Sequence, residues 1–138
     1  MGRKWSGFVA ATTFAGVLVS AQSPVRVVVG QRVATDVPGQ GGHEYRVSLR
    51  AGQFVHVVVN QLGIDVVVTA TGPAGETLVQ MDSPNGANGP EEVRLIAEKD
   101  GDYGLAIRAI RSDARGRYEL KVVALRTPTG EDRRRLTI

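Results

Sequence analysis

The chain has 138 residues, 17 of them glycine and none cysteine, with few aromatics and abundant valine. This length suits one hydrophobic core, and the lack of cysteine excludes disulfides, thiol nucleophiles and thiolate metal sites. The net charge of +3 does not describe a nucleic-acid binder: Arg3 and Lys4 stand at one end, Arg133, Arg134 and Arg135 at the other, and residues 22–126 carry 12 basic and 12 acidic side chains, where nucleic acid demands clustered cations.

Residues 1–21 read as a signal peptide that forms a helix until it is removed. Arg3 and Lys4 precede an apolar run from Phe8 to Val19, and Val19 and Ala21 flank a cleavage point before Gln22, which is the three-part secretory pattern. The run is shorter than the ~20 residues that span a bilayer, so a retained anchor is the weaker alternative. Export to the periplasm or beyond is expected, with no membrane attachment after cleavage.

From Gln22 to Arg126 the pattern is that of strands: apolar and polar residues alternate between closely spaced turn residues. Val25–Val29 stops at Gly30, and Gln31–Val37 stops at the turn from Pro38 to Gly42. Glu44–Arg50 places Tyr45, Val47 and Leu49 on one face. Gln53–Asn60 places Val55, Val57 and Val59 together and is apolar on much of the other face as well. Ile64–Thr71 is almost continuously apolar, as suits a covered strand, and Gly72-Pro73-Ala74-Gly75 turns it into Glu76–Met81 as a hairpin. Asp82–Pro90 reads as the longest surface loop. Glu92–Ala97, Asp102–Ala109 with Tyr103, Leu105 and Ile107 inward, and Arg117–Leu125 with Tyr118, Leu120 and Val122 inward complete the set. The pieces that start at Gly101 and Gly116 share the form Gly-x-Tyr-x-Leu-x-aliphatic, which predicts tyrosines at the core edge with hydroxyls reaching the rim.

Eight or nine short strands of this kind predict an all-β, two-sheet antiparallel sandwich of jelly-roll or Ig-like layout. Residues 127–138 read as a linker and the start of a helix, with Thr129 or Gly130 at the cap and Glu131 and Asp132 in the first turn. A helix of two turns is marginal alone, so a longer protein that continues past this point is the expectation.

No catalytic site is expected: there is no Gly-x-Ser-x-Gly elbow, no phosphate-cradling glycine motif, and only two histidines. His43 lies in a glycine-rich turn and is expected to be exposed; His56 lies among valines and is expected to be hydrogen-bonded within its strand. No cofactor is expected. Asp82, Ser83, Asn85 and Asn88 present oxygens that could surround calcium, although Asp-Ser-Pro-Asn-Gly is equally the chemistry of tight turns. Asp65 is expected to cap a turn or to meet Arg94 or Arg108.

The run Gly42–Gln53, followed by Gly63-Ile64-Asp65-Val66-Val67-Val68 and Gly101-Asp102-Tyr103-Gly104-Leu105, resembles the bacterial pre-peptidase C-terminal type of β-sandwich domain over about Val25 to Arg126. With Asp82–Gly86 and Glu131–Arg134, the chain is further similar to N-terminal segments of exported proteins that continue into tetratricopeptide repeats and a caspase-like peptidase. The resemblance implies a non-catalytic accessory role. Many such domains carry Asp-x-Asp before the central strand; here Asp65 is followed by Val66 and Val67, and no metal site carries over. The expected function is an exported interaction module that meets protein or glycan through its loops, or the downstream domains of its own chain. Regulation of a secreted peptidase and calcium- or carbohydrate-binding of a lectin-like kind are the alternatives. Trp5, the single tryptophan, lies in the signal segment and supplies no sugar platform.

Overall fold

Period-2 alternation lets a strand bury one face, and two sheets made of such strands share a single core. The structure, a computed structural model, describes Gly2 and residues 23–37 and 42–136; the expected signal peptide, Gly2 apart, and the expected turn at 38–41 lie outside the described residues. The strands are β1 (Val25–Arg26), β2 (Arg32–Val37), β3 (Gly42–Leu49), β4 (Phe54–Leu62), β5 (Val66–Thr71), β6 (Thr77–Met81), β7 (Asn88–Ile96), β8 (Gly101–Ala109) and β9 (Gly116–Arg126), followed by helix α1 (Gly130–Leu136). They form one sheet in the order β1-β3-β8-β5-β6 and a second in the order β2-β9-β4-β7.

The pairing decides between the two expected layouts. β2 pairs with β9, β3 with β8, β4 with β7 and β5 with β6, each antiparallel. These are the nested rungs of one long hairpin that has been rolled until β4 also meets β9 and β5 also meets β8. That is a jelly roll. β1 is added to it in parallel with β3.

The expected inward faces are the observed ones. Tyr45, Val47, Leu49, Tyr103, Leu105 and Ile107 of one sheet, and Val55, Val57, Val59, Tyr118, Leu120 and Val122 of the other, are all buried. Both Gly-x-Tyr strands contribute: the Tyr103 hydroxyl reaches the rim and donates to the Lys99 carbonyl at 2.8 Å, but Tyr118 is fully buried between the sheets.

Two expected elements are corrected. The strand at Val25–Val29 ends at Arg26, because the chain there crosses from one sheet to the other: Val27 N–H still bonds Arg46, whereas Gly30 N–H bonds Val122 of the opposite sheet. Val28 and Val29 are left exposed at the crossing. The loop at Asp82–Pro90 is shorter than its composition suggests, since β7 starts at Asn88 and pairs Asn88, Gly89 and Pro90 with Leu62, Gln61 and Asn60.

Helix α1 is held at one corner. Thr129 Oγ accepts from Asp132 N–H at 3.2 Å and Asp132 Oδ2 accepts from Thr129 N–H at 2.7 Å, a reciprocal cap. Asp132 also accepts from the Arg126 guanidinium at 2.6 Å, which itself stacks 4.5 Å above the Phe54 ring. No helix among the described residues is long and apolar enough to cross a membrane.

Candidate binding surface

One end of the sandwich carries the β4–β5, β6–β7 and β8–β9 connections. The residues singled out for calcium sit here, and Ser83, Asn85 and Asn88 bond to the protein itself. Asn85 Oδ1 accepts from Gln61 Nε2 at 3.1 Å, and Asn88 Oδ1 accepts from Gly63 N–H at 3.2 Å. Ser83 donates its N–H and its hydroxyl to Glu91 at 2.9 and 2.8 Å. Asp82 is exposed.

The organising group of this loop is Glu91, a fully buried carboxylate that also receives Gln61 Nε2 at 3.2 Å. Sequence reasoning passed over both residues. Glu91 follows a proline at the edge of an expected strand, and nothing in that pattern distinguishes an inward from an outward acid.

Asp65 is corrected. The charges that reach it are carboxylates, not Arg94 or Arg108: burial first, then Asp82 and Glu91, push its carboxyl above the usual carboxylate range. Its Oδ1 is buried without a hydrogen-bond partner. The turn before β5 is capped instead by Gln61, whose Oε1 accepts from Val66 N–H at 2.7 Å. Among the described residues, no cluster of three or more histidine, aspartate or glutamate side chains is arranged to hold a metal ion.

Both histidines also depart from expectation. His43 is half-buried inside β3, opposite Ile107, and its Nδ1 lies 2.8 Å from the Tyr118 hydroxyl, which in turn lies 2.6 Å from that of Tyr45. This chain of three polar groups ties the two sheets together. His56 Nε2 is buried with no hydrogen-bond partner; burial foremost, then Arg94, lowers its pKa, with Glu92 at 3.8 Å opposing. The imidazole stays neutral near pH 7 and holds its place by packing.

The opposite end carries the β3–β4, β5–β6 and β7–β8 connections together with α1. Here the edge strands β6 and β7 and the helix leave an open groove of about 590 Å³ lined by Glu76, Leu78, Ile96, Lys99, Arg133 and Leu136 among others. Leu78 is 44% exposed and Leu136 39%. A polar rim around exposed aliphatic side chains is the composition of a protein-contact patch. The signal in the sequence was the uncharged stretch Thr77–Met81 between Glu76 and Asp82, legible only once β6 is known to be an edge.

This architecture is shared with solved structures. The pre-peptidase C-terminal domain of collagenase from Bacillus anthracis matches with a TM-score of 0.62 at 18% identity, covering 74% of this chain and 96% of that one. PliG, a periplasmic inhibitor of g-type lysozyme, matches in its Salmonella Typhimurium form with a TM-score of 0.51 at 19% identity, and in its Aeromonas hydrophila form with 0.54 at 12%; each match covers 72% of this chain and 96% of the other. At these identities it is the β-sandwich fold that is shared. No family model and no curated protein matches the sequence.

Proposed function

We propose that the chain is a non-catalytic interaction module of an exported protein, and that it engages a protein partner along the flank between β6, β7 and α1. The observation that carries this reading is the groove with Leu78 and Leu136 exposed at its mouth. The loops at the other end, where contact was expected, spend Ser83, Asn85, Asn88 and Glu91 on their own hydrogen bonds. A glycan partner is disfavoured: Tyr45, Tyr103, Tyr118 and Phe54 are all buried, leaving no stacking platform among the described residues. PliG, a sandwich of this fold, acts on another protein, which is consistent with protein recognition by such a scaffold. Export is supported by the pattern of Arg3, Lys4 and the apolar run Phe8–Val19.

The reading is tested by placing a photoreactive amino acid at Leu78, Ile96 or Leu136 and, as a control, at Arg32 or Val123 on other surfaces, in cells that make the protein. A discrete adduct from the first set and none from the second is expected. Equal adducts from all positions, or none from any, would overturn it.

A further inference from the structure

We propose that β6 takes an extended segment of a partner protein as an added strand of the five-stranded sheet, and that basic side chains flank the paired part of that segment. This rests on the interaction reading above and specifies its mode and the chemistry of the partner. An edge strand exposes unpaired N–H and C=O groups, and proteins blunt such edges with charge, proline, bulges or brevity. Three of the four edges here are blunted. β1 is two residues long, β2 carries Arg32 and Asp36, and β7 carries Pro90, Glu92 and Arg94.

β6 is the exception in composition, for Thr77–Met81 contains neither charge nor proline. Its one bulge, in which Leu78 is the extra residue between Thr77 opposite Thr71 and Val79 opposite Ala70, lies toward one end, and beyond it Val79, Gln80 and Met81 keep a regular register with Ala70, Thr69 and Val68. Val79 and Met81 pack against the core and Leu78 is exposed beside the groove. A strand laid along β6 therefore gains main-chain hydrogen bonds and a place for an apolar side chain, the combination used in strand addition.

The ends of β6 identify the occupant. Glu76 and Asp82, both exposed, bracket the uncharged stretch, while the cations of the groove, Arg94, Lys99 and Arg133, stand on β7, its connection to β8 and α1. A second copy paired antiparallel about Val79 would set Glu76 against Asp82 at both ends, which like charges oppose. A partner segment with lysine or arginine at its ends is favoured at the same positions.

The test uses short synthetic peptides of alternating threonine and valine with lysine at both ends, glutamate at both ends, or lysine ends and a central proline, read by amide hydrogen exchange and chemical shifts. The lysine-ended peptide is expected to protect amides within residues 77–81 at submillimolar concentration and to bind about fivefold more tightly than the glutamate-ended one at low salt, as exposed charge pairs allow. The proline peptide should not protect them. Asp82→Lys, an exposed change, should erode the preference for lysine ends without altering the fold. Failure of every peptide to protect residues 77–81 at millimolar concentration overturns the proposal, as does a dimer that buries β6 in sedimentation. Shifts at Ile96 and Leu136 without protection of β6 overturn strand addition alone, whereas loss of the photoadduct at Leu78 and Leu136 removes the interaction reading itself.

Discussion

The hydroxyls of Tyr45 and Tyr118 lie 2.6 Å apart in the middle of the sandwich, one contributed by each sheet, and His43 joins them from the rim. The arrangement is asymmetric, and that asymmetry has energetic consequences. Tyr118→Phe leaves the Tyr45 hydroxyl buried without a partner and is expected to cost about 2 kcal/mol, whereas Tyr45→Phe leaves Tyr118 bonded to His43 and should cost under about 1 kcal/mol. The double variant should cost less than the sum, because both partners have gone. Urea denaturation of the three variants measures this; equal costs for the two single changes would refute the role of His43.

The same pair sets an alkaline limit. Burial foremost raises the pKa of both phenols above the ordinary 10.0, with Tyr118 the more strongly raised. A folded pKa above the unfolded one means stability is intact below pH 10.0 and is lost as pH rises beyond it. Tyrosine absorbance and circular dichroism are expected to change together on alkaline titration, with no phenolate signal from these two residues in the folded protein.

His56 works at the other side of neutrality. Its folded pKa lies below the ordinary 6.5, so its contribution is present above that pH and lost as pH falls toward the folded value. Replacement by glutamine should flatten the acid-side dependence of the urea midpoint relative to the parent chain. A midpoint that falls equally in both would show that His56 plays no part.

Glu91 holds the β6–β7 loop by receiving Ser83 and Gln61. Glu91→Ala orphans those donors and is expected to destabilise the fold by about 3 kcal/mol and to open residues 83–87 to proteolysis. Glu91→Gln, which keeps the volume and one acceptor, should lose less. Unchanged cleavage of the loop in the alanine variant would show that the turn holds itself.

At Gly116 an added Cβ would stand 2.8 Å from both the Gly63 carbonyl oxygen and the Ile64 Cβ. Backbone lies on one side and a buried side chain on the other, so neither yields cheaply. Gly116→Ala is expected to cost about 2 kcal/mol, in the range of overpacked sites, read from the thermal or urea transition. An alanine at exposed Gly130, whose Cβ would meet only the end of the Arg134 side chain at 3.5 Å, is the control expected to be tolerated.

The strands were legible because alternation is local: Tyr45, Val47 and Leu49, or Tyr118, Leu120 and Val122, declare an inward face within a few residues. The cap of α1 was legible for the same reason, since Thr129 and Asp132 stand three apart. Where expectation failed, a distant partner intervened. Val28 and Val29 carry strand chemistry but occupy a crossing between sheets. His43 carries turn chemistry but meets Tyr118, 75 positions away. Val122 and Ala124 of β9 pair with Val57 and His56, leaving Val123 as an extra residue that no alternation rule foresees.

By itself, then, the order of residues determined an all-β chain, its inward faces, its turns and the absence of cysteine chemistry, because each depends on neighbours a few bonds apart. Only the tertiary structure decided the nested jelly-roll pairing, the inward turn of Glu91, the acidic surroundings of Asp65 and the identity of β6 as an unguarded edge. Those properties arise where segments far apart in the chain are brought together, and which strand is left without a neighbour is settled only when all the others have found theirs.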